Sequence, residues 1–162
     1  MKGNSDLVRW LYRGGRPHRV AATLNRLWAT LSAAGLWPSR MTAMEVRGRR
    51  SGRVRSFPMV IAEYDGSRYL VAMLGEETNW VANVRAAGGQ AVLRHGGREA
   101  VLLEEVSADE RAPLLKRYLE VAPGARPHIP VDRRAPLADF ERIADRYPVF
   151  RVHPHGSTPP RA

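Results

Sequence analysis

Residues 41–74 read MTAMEVRGRRSGRVRSFPMVIAEYDGSRYLVAML. Apolar and polar residues alternate along much of this stretch, and a period of two is typical of β-strands. The pattern predicts strands over 42–46, 54–64 and 67–74. Glycines mark the connections between them. Residues 48–52 are predicted to form a tight turn, and Asp65-Gly66 is a strong hairpin signal.

The same criteria divide the rest of the chain into short elements. Helices are predicted over 78–87, 107–121 and 137–146, and strands over 90–94, 99–105 and 147–153. Ser107 and Glu110 have the spacing of a helix-capping pair, and the four prolines of residues 122–136 predict a loop. Because strands and helices do not alternate regularly, a doubly wound parallel sheet is disfavoured. We expect a mainly β fold with helices, in the form of a small barrel.

The N-terminal residues 1–40 have helical rather than strand periodicity. Leu24, Leu27, Trp28 and Leu31 recur on one helical face, and Pro38 ends the pattern. Tryptophans and arginines accompany these leucines, which predicts either a lid over the barrel mouth or a contact with an anionic membrane surface. The expected organisation is a helical extension over 1–40, a barrel over 41–153 and a disordered tail over 154–162.

Length and composition restrict the class of protein. A chain of 162 residues fits one domain, and the absence of cysteine excludes disulfides and thiolate metal sites. No apolar run is long enough for a transmembrane helix, and no secretory signal is visible. The five histidines are scattered, so a metal site is disfavoured. We expect a soluble, cytoplasmic protein, with peripheral contact at the inner face of the membrane as a further option.

The chain carries 26 basic and 16 acidic residues, a net charge of +10. Lys2 and Lys116 are the only lysines. A GC-rich genome explains the preference for arginine but not the excess of cations. That excess predicts an anionic partner, which leaves nucleic acid, an anionic membrane and a polyanionic cofactor as alternatives.

Residues 47–55, RGRRSGRVR, concentrate the positive charge in a turn. Two glycines allow the backbone to turn tightly and expose its amides, while arginine and serine side chains are directional donors for phosphate oxygens. The pattern is not a nucleoside-triphosphate phosphate loop, because no Gly-Lys-Ser/Thr follows. Anion binding is one reading, and a solvated cationic hairpin or a nucleic-acid contact is the other.

A second group of interest follows the strand that ends near Leu74. Asn79 and Asn83 are four residues apart and share one helical face. Trp80 could stack beside a heteroaromatic ring whose edge bonds to Asn83. The alternative is that Trp80 is a core residue and Asn79 belongs to the helix cap.

Taken together, these blocks resemble the deazaflavin-dependent nitroreductase and quinone reductase family of actinobacteria. The resemblance rests on residues 48–55, on Pro58, on Asp65-Gly66, on residues 69–72 and on residues 79–86. It continues through residues 118–150 and covers about 40–153. It implies a flavin-reductase-like split β-barrel that binds coenzyme F-420, whose phosphodiester and glutamate tail are anionic. FMN is the alternative cofactor.

The resemblance also implies roles for particular residues. Those matching the phosphate-binding positions are Arg49, Arg50, Ser51 and Arg55. Those matching the walls around the deazaflavin are Pro58, Met73, Leu74 and Gly75. Trp80 and Asn83 match positions that help to seat the cofactor, and Asn79 is also expected to bind it. The implied reaction is hydride transfer from the reduced deazaflavin to a small-molecule acceptor such as a quinone or an enone.

The family's tyrosine-rich segment over the substrate is replaced here by residues 121–130, which contain no tyrosine. This departure puts nitro-group reduction in doubt and leaves Arg126 and His128 as candidate catalytic donors. It also favours an alternative function, a binding protein for a flavin, deazaflavin or hydrophobic ligand without turnover. Nucleic acid is disfavoured as a partner, and the chain is expected to be a monomer or a homodimer.

Overall fold

The computed structural model describes residues 40–155. Its strands are β1 (Met41–Arg47), β2 (Val54–Val60), β3 (Ala62–Tyr64), β4 (Ser67–Val71), β5 (Gln90–Arg94), β6 (Arg98–Glu105) and β7 (Val149–Pro154). Its α-helices are α1 (Asn79–Ala86), α2 (Arg111–Val121) and α3 (Leu137–Glu141). Short 3-10 turns occur at Ala108–Glu110, Pro123–Ala125 and Ala144–Arg146.

The seven strands form one antiparallel sheet in the order β2-β1-β5-β6-β7-β4-β3. Only Ile61 separates β2 from β3 in the chain, although these strands stand at opposite ends of the sheet. The sheet must therefore curl until its two ends meet. This arrangement confirms the predicted mainly β fold with helices, a split β-barrel.

Two clusters of apolar side chains occupy the two faces of the curled sheet. Six of the seven strands contribute to the first cluster, which surrounds Trp80, Val81 and Val84 of α1 and fills the barrel interior. The second cluster lies on the outer face of β3, β4 and β7, where α2 and α3 cover it. Successive residues of β4 divide between the clusters, since Leu70 belongs to the first and Val71 to the second.

The predicted strand over 54–64 is wrong, because the structure divides it into β2 and β3. The break is at Ile61, whose amide donates to the carbonyl oxygen of Arg40 at 2.7 Å instead of extending either ladder. The strand predicted over 67–74 ends at Val71. Residues 72–75 turn, with the Gly75 amide donating to the Ala72 carbonyl at 2.9 Å and Gly75 at a φ of 90°.

The C-terminal third is otherwise close to the prediction. The helix predicted over 137–146 is wrong in its extent, since α3 ends at Glu141 and a separate 3-10 turn follows. The Ser107 hydroxyl donates to the Glu110 carboxylate at 2.8 Å, and a 3-10 turn precedes α2 there. The predicted N-terminal helices, apart from Arg40, and the last seven residues of the tail lie outside the described residues.

Within residues 40–155, no helix is long and apolar enough to cross a membrane. In the same range, no group of three or more histidine, aspartate or glutamate side chains is arranged to hold a metal ion.

Candidate cofactor-binding site

The connection between β1 and β2, residues 48–53, is a closed turn that we call the arginine turn. The Gly48 amide donates to the Arg53 carbonyl at 2.8 Å, and the Gly52 amide donates to the Gly48 carbonyl at 2.8 Å. Gly52 has a φ of 66°, in the left-handed region that favours glycine. A Cβ atom on Gly48 would lie 3.1 Å from the Arg53 carbonyl oxygen and from Ser51 Oγ. Gly52 is therefore favoured by its backbone conformation, and Gly48 by the close approach of the turn to its Cα.

The arginine turn and its flanks carry an uncompensated positive charge. Five exposed arginines stand here: Arg47, Arg49, Arg50, Arg53 and Arg55. None of them pairs with a carboxylate within residues 40–155, whereas Arg68, Arg85, Arg94 and Arg111 all do. Like charges held this close repel one another, so an anion bound among them would be stabilised.

The side chains of β2 divide between its two faces. Arg55, Phe57 and Met59 share one face, and Met59 is buried in the barrel interior with Phe57 packed against the same cluster. Pro58 is half-buried on the opposite face, across from Ala43 of β1. Because β2 stands at the end of the sheet order, a residue without an N–H is tolerated there. Arg55 and Pro58 thus lie on different faces of the strand.

Asn83 of α1 connects the arginine turn to the helix. Its Oδ1 atom accepts hydrogen bonds from the Arg49 backbone amide at 3.1 Å and from Arg49 Nη1 at 3.0 Å. The Asn83 residue is only 5% exposed. The arginine turn and α1, which the sequence analysis identified as two separate groups, are therefore in contact, although Arg49 and Asn83 are 34 positions apart in the chain.

The other predicted residues of α1 and its approach lie at the start of the helix. The Thr78 hydroxyl donates to the Gly75 carbonyl at 3.2 Å, which ties the turn at 72–75 to the helix. Met73, Leu74, Gly75 and Asn79 are all half-buried. Trp80 is buried in the interior cluster, with its ring centroid 5.4 Å from that of Phe150. Its packing is that of a core residue.

These placements form a strip along α1. It begins at residues 73–75, continues past Asn79, and reaches the arginine turn at Asn83. Four residues of α-helix span about 6 Å. One elongated ligand could therefore contact the apolar turn with one end and the arginines with the other.

Arg126 and His128 lie instead in the layer formed by α2. The Arg126 guanidinium donates to the carbonyls of Leu119 and Glu120, at 3.0 and 3.4 Å, and so caps the C-terminal end of that helix. The His128 carbonyl accepts a hydrogen bond from the Tyr147 hydroxyl at 3.1 Å. Burial raises the pKa of Tyr147. Both candidates remain predictions as catalytic residues.

Hydrogen bonds through Tyr147 and Pro148 nevertheless connect the backbone at His128 to the turn at 72–75, where the strip begins. Tyr147 holds the His128 carbonyl, and the next residue, Pro148, accepts a hydrogen bond from the Ala72 amide at 2.9 Å. The chain around His128 and the turn at 72–75 are thus fastened to neighbouring residues. His128 is connected to this turn more directly than to the arginine turn.

The sequence analysis missed a network that holds α1 in place. Arg85 donates to both carboxylate oxygens of Glu105, at 2.9 and 2.7 Å, and to Glu76 at 3.1 Å. The buried Arg111 donates to Glu105 at 3.2 Å and to the carbonyl of Val106 at 2.8 Å. Hydrogen bonds from Arg85, supported by Arg111, lower the pKa of Glu105. Charged residues at these spacings give no signal in the sequence that distinguishes them from a solvated surface.

Comparison with known proteins adds a family match. The model of the family described as F420H(2)-dependent quinone reductase matches residues 19–138 of this chain. That range includes the arginine turn, α1 and both candidate donors. No curated protein is significantly similar to the chain in sequence.

Two solved structures show the same fold at low sequence identity, and a third is similar at a lower TM-score. A structure described as a domain-swapped dimer is 21% identical with a TM-score of 0.51, and the match covers 83% of this chain and 96% of that one. A protein of unknown function from Agrobacterium tumefaciens is 16% identical with a TM-score of 0.53, covering 79% and 54%. A reductase dependent on reduced F-420, FDR-A, is 22% identical with a TM-score of 0.49, covering 71% and 95%.

Proposed function

This chain belongs to the family of quinone reductases that depend on reduced coenzyme F-420, and we propose that its acceptor is a quinone, an enone or a similar electrophile. The chain is therefore an oxidoreductase with a deazaflavin cofactor. When bound, the reduced deazaflavin supplies a hydride. The chain's own residues would bind the cofactor, orient it and supply a proton to the acceptor.

The observation that carries the proposal is the set of unpaired arginines on a turn that is bonded to α1. An anionic cofactor fits these residues, because their charges have no carboxylate partners within residues 40–155. We assign the cofactor phosphate to Arg50, Ser51 and Arg55. The Ser51 hydroxyl accepts a bond from the Arg53 amide at 3.3 Å and keeps its own proton for a phosphate oxygen.

The deazaflavin ring is assigned to the other end of the strip. Met73, Leu74 and Gly75 would form its wall, and Asn79 would meet its edge. Trp80 would act indirectly, since its packing against Phe150 helps to hold α1 in place. Pro58 lies on the face of β2 away from Arg55, and its contact with the ring stays a prediction.

The proton donor to the acceptor is assigned to His128. Hydride addition to a quinone or enone leaves negative charge on oxygen, and a nearby donor stabilises it. An imidazole N–H is the kind of group that can donate to this oxygen. The Arg126 guanidinium already holds two carbonyls of α2 and is the weaker candidate. With no tyrosine in residues 121–130, we propose that nitroaromatic compounds are poor acceptors.

A binding protein without turnover was the second candidate, suggested by the missing tyrosines. Family membership favours the reductase. FMN was the alternative cofactor, and the family again favours the deazaflavin.

Anaerobic stopped-flow oxidation of reduced F-420 tests the proposal. Menadione, cyclohexenone and a nitroimidazole are offered separately as acceptors. We expect enzyme-dependent oxidation with the first two and little with the third. Rates equal to the enzyme-free reaction for all three would exclude these acceptor classes, and a fast reaction with the nitroimidazole alone would reverse the assignment.

The oligomeric state and the cellular location of the chain can each be tested directly. The fold shared with a domain-swapped dimer supports a homodimer, and light scattering after gel filtration would decide between a monomer and a dimer. The cytoplasmic location stays a prediction from the sequence. The membrane contact predicted for the N-terminal extension falls on residues 1–39, which lie outside the described residues. Flotation with liposomes that contain or lack anionic lipid tests it, and no flotation with either would leave only the lid.

A further inference from the structure

Asn83 and Arg49 are joined by two hydrogen bonds, although the sequence predicted each of them only as a separate contact to the cofactor. One oxygen atom, Asn83 Oδ1, accepts both the backbone amide and the guanidinium of Arg49. Both partners are N–H donors, so the orientation of the carboxamide is fixed, with its oxygen toward the turn. With 5% of the residue exposed, competition from water for this oxygen is small.

The two bonds restrain different parts of the arginine turn. The backbone bond fixes the second residue of the turn, directly after Gly48. The guanidinium bond holds the Arg49 side chain against α1. Arg50 and Arg55 have no comparable hydrogen bond within residues 40–155, so their side chains are available to an anion.

We propose that Asn83 and Arg49 form a positioning pair that sets the shape of the arginine turn, and that Arg50 and Arg55 rather than Arg49 bind the anion. This inference rests on the proposed function, because it concerns the same site. A turn already held in its binding shape loses less conformational entropy when the anion binds. Asn83 thus acts on affinity through the turn, as a positioning residue.

The first test needs no cofactor. Hydrogen exchange of the Arg49 amide is measured in the wild type and in Asn83→Ala, Asn83→Asp and Asn79→Ala variants. We expect exchange about tenfold faster in Asn83→Ala, as the loss of one net hydrogen bond predicts. Asn83→Asp keeps an acceptor oxygen and should restore protection. Asn79→Ala, a matched change one turn earlier on α1, should leave the Arg49 amide unchanged. Equal exchange in Asn83→Ala and the wild type would overturn the pair.

The second test is a double-mutant cycle on F-420 affinity, measured by fluorescence titration. We expect Asn83→Ala and Arg49→Gln each to weaken binding about tenfold, and the double variant to bind no more weakly than either single one. Asn83→Ala combined with Arg50→Gln should multiply the two effects. Multiplication in the Asn83 and Arg49 cycle would overturn the proposal, because Arg49 would then act independently.

The two tests separate this inference from the proposed function. If Arg50→Gln and Arg55→Gln both leave F-420 affinity unchanged, the phosphate is wrongly placed and the proposed site fails. The exchange measurement still decides the pair in that case, because it reports on the protein without its cofactor.

Discussion

Val60 and Ala62 are separated in the chain by one residue, yet they lie in strands at opposite ends of the seven-stranded sheet. Val60 pairs with Met41 of β1, whereas Ala62 pairs with Tyr69 of β4. The step between them brings the two ends of the curled sheet together, although no ladder joins β2 to β3 within the described residues.

Gly89 is expected to be the least replaceable glycine near α1. Its φ is 81°, and a Cβ atom there would overlap the carbonyl oxygen of Leu103, whose amide donates to Gly89 at 2.8 Å. We expect Gly89→Ala to lower the free energy of unfolding by about 3 kcal/mol. Gly88→Ala is the control, with a φ of 61° but no atom within 4 Å of its Cβ, and should cost about 1 kcal/mol. Urea unfolding measures both, and equal losses would refute the steric argument.

Glu105 should make stability depend on acidity. Its pKa is lowered in the folded protein, so its contribution is complete above the ordinary value of 4.5 and is lost as the pH falls through the lowered pKa. We expect Glu105→Gln to destabilise the protein by about 1.5 kcal/mol at neutral pH. The difference from the wild type should shrink below pH 4.5.

The matched control for Glu105 is Glu76→Gln. Glu76 also pairs with Arg85 but has a side chain that is 59% exposed, so its loss should be close to neutral. Denaturant unfolding over a pH series distinguishes the two variants. A constant difference between Glu105→Gln and the wild type from neutral to acid pH would contradict the assignment.

Affinity for F-420 should depend on the position of the substituted arginine and not only on the net charge of the protein. We expect Arg50→Gln and Arg55→Gln each to weaken F-420 binding by about 10- to 100-fold, the effect of one lost charge-assisted hydrogen bond. Arg142→Gln removes one charge from a 74% exposed side chain paired with Asp139 of α3, and should change affinity by less than about twofold. Fluorescence titration at two salt concentrations measures all three. Equal weakening by Arg142→Gln would mean that only net charge matters.

The two candidate donors should separate in kinetics. We expect His128→Gln to slow menadione reduction about 100-fold with little change in F-420 affinity, because a general acid acts on the acceptor. Arg126→Gln should instead lower the free energy of unfolding by about 1 kcal/mol through loss of the α2 cap. Stopped-flow rates and urea unfolding measure these effects. If Arg126→Gln reduced menadione slowly while His128→Gln kept the normal rate, Arg126 rather than His128 would be the proton donor.

Features set by neighbouring residues were predictable from the sequence. Asp65-Gly66 forms the predicted two-residue hairpin, with φ values of 47° and 72° at its two positions. The arginine turn likewise follows from its glycines. The break at Ile61 was missed because the period-two pattern runs through it without interruption. Only the curvature of the whole sheet assigns the two halves to different partners.

The candidate site shows the same division. The sequence identified the arginine turn and the Asn79–Asn83 region as separate groups, but no local pattern reports that Arg49 and Asn83 touch. Their contact depends on the buried face of α1, with Trp80, Val81 and Val84, packing against the interior of the sheet. The sequence allows Trp80 either to stack on a bound ring or to pack in the core. Its contact with Phe150, 70 residues away in the chain, favours packing in the core.

The edge strand β2 has a further consequence for how copies of the chain meet. An open strand edge invites another chain to extend the sheet, which is a route to aggregation. Pro58 offers no N–H to such a neighbour, and the charges of Arg53 and Arg55 repel an identical strand. Arg53 and Arg55 are thus expected to protect the sheet edge against open-ended growth, and a variant that neutralises both charges should lose that protection.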